Sequence, residues 1–156
     1  MNITKSDAIQ TRIINLFKRK ANTGVSTFRS YLLRLFYAMA VFMLGFDVWT
    51  EILTYQEQWE PFRAVAFSFW GVFSLLAILG IFHPLRMLPL LLVQFSYKLV
   101  WLVLVVYPLW TAGELAGSGA ESLTRANSIG VVLDLLIIPW GYVFKTFVLG
   151  RQTPAN

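Results

Sequence analysis

The sequence predicts an all-α integral membrane protein: a four-helix, up-down bundle with an N-terminal amphipathic helix lying in the membrane interface. Three observations carry that prediction. Apolar and aromatic residues make up 57% of the chain and charged residues only 13%, about half the charge that coats a soluble domain. Mean hydropathy is positive, at +0.63. Four apolar stretches, near Tyr31–Leu53, Phe62–Phe82, Met87–Trp110 and Ser128–Leu149, each have the length of about 20 residues that a helix needs to cross a hydrocarbon core of about 30 Å. These features exclude an ordinary soluble domain, a disordered chain and a fibrous repeat. Period-two alternation is absent, which argues against a membrane β-barrel.

Residues 1–24 read as a basic amphipathic helix and linker. Ile9, Ile13, Leu16 and Phe17 fall on one helical face, and Arg12, Lys18 and Arg19 lie opposite them. Thr4 to Asp7 resembles a capping box that would start the helix, and Asn22-Thr23-Gly24 breaks it. Six of the thirteen basic residues precede residue 30. Arg12, Lys18, Arg19 and Lys20 are therefore expected to meet anionic lipid headgroups. Docking onto a partner subunit is the alternative use of the same helix.

Residues 25–150 form the predicted four-span transmembrane domain, and residues 151–156 a short tail. Gln56 to Pro61, His83 to Arg86 and Thr111 to Asn127 punctuate the spans. Pro139 falls inside the fourth and should kink it. Ala64, Ser68 and Gly71 form a small-residue stripe on the second, suited to close helix packing. Basic and acidic ends alternate: a basic amino terminus, Glu57 and Glu60 in the first loop, His83 and Arg86 in the second, Glu114 and Glu121 against Arg125 in the third, and Lys145 and Arg151 at the end. Lysine and arginine favour the cytoplasmic side. Both termini are accordingly expected there, in a bacterial-type inner membrane. Trp49, Tyr55, Trp59, Tyr107 and Trp110 would then form an aromatic belt at the external interface.

The inventory removes several chemistries. There are no cysteines and a single histidine, His83, so thiolate zinc, iron–sulfur and paired-histidine sites are excluded and no metal is expected. No phosphate-binding glycine motif appears, and the positive charge is not laid out for nucleic acid. No catalytic residue stands out.

What remains is a handful of charges inside the apolar stretches. An ionised group near the bilayer centre costs about 2.5–3.5 kcal/mol on insertion scales, so it needs a partner, water or a task. Asp47 and Glu51 share one face of the first span, Gln94 and Lys98 share one face of the third, and Asp134 lies in the fourth. Asp47, Lys98 and Asp134 lie roughly 6 to 10 residues from the external ends of their helices, about 9–15 Å deep. Lys98 is expected to meet Asp47, Asp134 or both, with Glu51 and Gln94 lining an exit. The cluster is either a buried ion pair that fixes helix register or a ligand or proton site.

Two segments, Arg34 to Asp47 (RLFYAMAVFMLGFD) and Gly71 to Arg86 (GVFSLLAILGIFHPLR), resemble small four-helix membrane proteins of the DoxX-like type. The resemblance covers about a fifth of the chain. It implies an up-down bundle and a role as a quinone-linked redox subunit or an accessory factor. Phe69-Trp70-Gly71 stands where that family commonly carries an acidic residue, and no catalytic residue is carried over. The leading functional expectation is a non-catalytic accessory or subunit protein, partnered by another membrane protein or by copies of itself. The alternative is a binder or transporter of a small or lipophilic ligand, a quinone among them.

Overall fold

Ser26 begins the first helix of the computed structural model, which describes residues 24–150. Residues 1–23 and 151–156 lie outside the described residues, and with them the predicted amphipathic helix, its Arg12, Lys18, Arg19 and Lys20, and the tail. Everything regular among the described residues is helical. Helix α1 is Thr27–Thr54, α2 is Pro61–Phe82, α3 is Leu88–Thr111, α4 is Glu121–Ile137 and α5 is Trp140–Val148. Helices α1, α2 and α3 are each long and apolar enough to cross a membrane, and the interrupted pair α4–α5 is a fourth candidate.

Local chemistry explains most of the boundaries. Ser26 caps α1 by accepting from the Arg29 N–H (3.2 Å). Pro61 opens α2 at a position where a missing N–H costs nothing. Pro108 would break the regular ladder of α3, and the chain before it winds as a π-turn, Leu102–Val106. Gly113, at φ +73°, closes α3 with a Schellman pair: its N–H reaches the Trp110 carbonyl and that of Glu114 reaches Leu109.

Two boundaries differ from the hydropathy reading. Helix α4 begins at Glu121, before the apolar stretch, because its polar first turns are helix-compatible and an Arg125–Glu121 pair spans one of them (3.2 Å). Pro139 does more than kink the fourth stretch. Ile138 turns extended (ψ 125°), the helix stops, and a second begins at Trp140.

The chain divides into two units, residues 24–87 with 139–150 and residues 88–138. In the first, α2 folds back along α1, and small residues let the backbones approach. Gly71 lies against Ile52 and Trp49, Gly45 against Ser74, and Gly80 against the ring of Tyr37. Trp49 turns to α2 and donates its indole N–H to Ser74 Oγ (3.1 Å). The buried stripe on α2 is Gly71, Ser74, Ala77 and Gly80, whereas Ser68 is exposed. In the second unit, α4 folds back along α3. The buried positions of α3 include Leu91, Gln94 and Lys98, those of α4 are Thr124, Val131 and Asp134, and Lys98 meets Asp134 across the hairpin.

Glu60 caps α2 by accepting from the N–H of Phe62 (3.0 Å) and Arg63 (2.7 Å). The Phe62 bond, followed by the Arg63 bond, holds its carboxyl below the usual carboxylate range. With the folded pKa depressed, the cap's contribution is complete above that range and is lost as pH falls through the lowered value. Thermal unfolding of Glu60→Ala should therefore lie below wild type at neutral pH and converge with it in acid. A gap that stays constant with pH would contradict the assignment.

Candidate functional site

The seam of the second unit carries a buried ion pair. Gln94, Lys98 and Trp101 fall one and two turns apart on a single face of α3, and Gly130 and Asp134 fall one turn apart on α4. Lys98 and Asp134 stand equally far from the loop that joins their helices, so the hairpin brings them level. Lys98 Nζ donates to Asp134 Oδ2 at 3.0 Å. Lys98 is 5% exposed and Asp134 fully buried.

Gly130 makes this contact fit. A Cβ there would come within 2.5 Å of Lys98 Nζ and 2.9 Å of Cε, so the lysine stem lies where a side chain would otherwise stand. Gly130→Ala should displace the ammonium and cost about 1–3 kcal/mol, as overpacking does. In a Lys98→Ala background the same change should cost much less. Thermal midpoints in detergent for the four proteins of this cycle test the contact.

One base and one acid nearly cancel in charge, but hydrogen-bonding capacity is left over. Asp134 Oδ1, Gln94 Oε1 and Trp101 Nε1 are buried without a hydrogen-bond partner. Such orphans call for water, a proton or a bound molecule. The set offers an indole donor and two oxygen acceptors beside a neutralised charge pair, chemistry suited to holding hydroxyl, carbonyl or amine groups. Among the described residues no three histidine, aspartate or glutamate side chains gather into a metal-binding set.

The remaining candidates of the first span have other surroundings. Glu51 pairs with Arg63, which the sequence reading did not single out. The Arg63 guanidinium sits 4.8 Å from the Tyr55 ring, 5.4 Å from Phe67 and 5.7 Å from Trp59, within cation–π range of all three. Glu51 and Arg63 flank the first loop in sequence, a signal that would have suggested their meeting. Asp47 is exposed. Gly45 and Val48 beside it turn inward, and Asp47 has no hydrogen bond or ion pair among the described residues. Trp101 was legible only as a deep aromatic, because an orphaned N–H shows itself only after packing.

No protein-family model, no curated protein and no solved structure matches the chain.

Proposed function

We propose that the chain is a non-catalytic subunit or accessory protein of a complex in a bacterial-type inner membrane. Its two helical hairpins form a four-span, up-down bundle with both termini cytoplasmic. The amino-terminal helix lies on anionic headgroups through Arg12, Lys18, Arg19 and Lys20.

The observation that carries this proposal is Asp47: a carboxylate exposed on an apolar 28-residue helix, without a partner among the described residues. Facing hydrocarbon, it would cost about 2.5–3.5 kcal/mol on insertion scales. A second protein presenting a basic or hydrogen-bonding group at that level removes the cost. The resemblance of residues 34–47 and 71–86 to DoxX-like proteins also points to an accessory role.

The chain has no cysteines, so an introduced cysteine is its single attachment point for a thiol-reactive photocrosslinker, attached to the purified chain before reconstitution with membrane extract. A photocrosslinker attached at Asp47→Cys should give a discrete protein adduct, and one at Val103→Cys should give lipid adducts. Lipid labelling alone at position 47 would sink the proposal.

The orphaned atoms of the second hairpin favour a second role, binding of a small or lipophilic ligand beside Lys98 and Asp134. A quinone is one candidate, its carbonyl accepting from Trp101 Nε1–H. Ligand retention lost in Trp101→Phe, with assembly intact, would select this role.

A further inference from the structure

The turn that joins α2 to α3 holds basic side chains with nothing of opposite sign paired to them among the described residues. Helix α2 ends where the His83 N–H bonds the Leu79 carbonyl, and the N–H groups of Arg86 and Met87 then fold back onto the His83 carbonyl. This tight turn presents His83 and Arg86 on one rim, both exposed. Helix α1 supplies the opposite rim, Ser30 and Arg34, and Tyr37 ties the two by donating to the Pro84 carbonyl (3.4 Å). Between them lies an open groove of about 470 Å³, with Phe82 and Leu85 as its apolar wall. That volume is in the range of small-molecule sites.

The charge of this groove is one-sided. No carboxylate occurs between positions 8 and 46 or between 61 and 113, the stretches from which both rims are built. Neither Arg34 nor Arg86 makes an ion pair among the described residues, and the Arg34 guanidinium only rests 5.9 Å from the Tyr31 ring. Two guanidiniums and an imidazole around one hollow form a donor set for a phosphate group.

Depth selects the source of that phosphate. Helix α2 has 22 residues, about 33 Å of rise, which matches a hydrocarbon core of about 30 Å. Its acidic end, with Glu60 and the Glu51–Arg63 pair, occupies one interface, which places the basic groove at the headgroup level of the other. Exposed Phe82 and half-buried Leu85 continue the groove onto apolar helix surface, where an acyl chain would lie.

We infer that Arg34, His83 and Arg86 form a discrete binding site for the headgroup phosphate of an anionic phospholipid. The inference rests on reading α2 as a membrane span and is independent of any partner protein. The site differs from diffuse attraction by a basic surface in having fixed walls, a counted set of donors and an apolar side formed by Phe82 and Leu85.

The test is lipid retention by the full chain in detergent, followed by native mass spectrometry. Dioleoylphosphatidylglycerol and dioleoylphosphatidylcholine are offered as competitors, with inorganic phosphate as a third arm. Wild type should retain the glycerol lipid in preference to the choline lipid. Arg34→Gln combined with Arg86→Gln should weaken that retention about thirtyfold. Arg125→Gln, which breaks an exposed pair elsewhere, should leave it unchanged.

Equal retention of both lipids by wild type overturns the site, and this arm stands even if the double variant does not fold. Unchanged retention in a folded double variant overturns it as well. Displacement of the lipid by millimolar phosphate makes the ligand a free anion and overturns the lipid assignment. Alkaline carbonate treatment of vesicles separates the two levels of failure. A chain that is extracted refutes the membrane span and the site with it, whereas a chain that resists extraction and shows no lipid preference refutes the site alone.

Discussion

Asp134→Leu is expected to destabilise the α3–α4 hairpin by about 3–5 kcal/mol, because it leaves the Lys98 ammonium buried and unpaired. The pair spans 3.0 Å with both side chains almost fully buried, so neither water nor a rotamer change can rescue the lysine in place. Replacing both partners should reverse the loss. Lys98→Met with Asp134→Leu removes the desolvation cost of two charges and should restore wild-type stability or exceed it by about 1–4 kcal/mol. Thermal or denaturant unfolding in bicelles reads both effects. A double variant no more stable than the single one would show that the pair is net stabilising. The same double variant also removes Oδ1 of Asp134, one of the orphaned acceptors. If it assembles normally yet loses a ligand that wild type retains, the pair serves a site; if nothing is lost, it serves helix register.

Gly80→Leu should cost about 3 kcal/mol, the upper end for overpacking, because the space is already taken. A Cβ at Gly80 would stand 2.5 Å from Cγ of Tyr37 and 2.6 Å from Cε1. Tyr37 is fully buried and has no open direction in which to move. The usual gain of about 1 kcal/mol on replacing a helical glycine is too small to offset that clash. Tyr37→Ala alone should cost about 3–5 kcal/mol through the cavity it leaves. The two changes together should cost less than their sum, since the leucine enters the vacated space. Additive losses in unfolding experiments would mean that the ring and the glycine do not share one contact. Tyr37→Phe should be nearly silent by comparison, because the hydroxyl's only bond here is a long one.

How far the fold could be read beforehand depended on the physical signal behind each feature. Helices α1, α2 and α3 begin and end within a few residues of their apolar stretches, because hydropathy reports directly on segments that avoid water. The start of α4 was hidden for the same reason: Glu121 to Asn127 is polar and still helical, so hydropathy marks the solvent change and misses the helix end. Pro139 was visible as a defect. That the chain would stop being helical there, with Ile138 extended, depends on the surrounding packing.

The candidate site divides in the same way. Asp47, Glu51, Gln94, Lys98 and Asp134 stood out because each is costly in an apolar stretch, and that cost follows from composition and position alone. Spacing put Gln94 and Lys98 on one face, since helical periodicity is local. Partner choice is not local. Whether Lys98 lies beside a given acid, whether Glu51 turns to Arg63, and whether Asp47 turns outward are settled by helix rotation and by which small residues admit close approach. Gly130 beside Lys98 and Gly80 beside Tyr37 are such residues, and a glycine's neighbour cannot be read from its own stretch of chain.

The sequence by itself determined that the chain is helical with stretches long and apolar enough to cross a membrane, how many such stretches there are, and the short set of polar residues that need explaining. Those follow from the free energy of moving side chains between water and hydrocarbon, a property of each residue. Only the tertiary structure decided which charges are paired, which buried oxygens and indole N–H groups are left without partners, and that two arginines and a histidine face one groove. Those depend on distances of a few ångströms between segments far apart in the chain, which are set by packing.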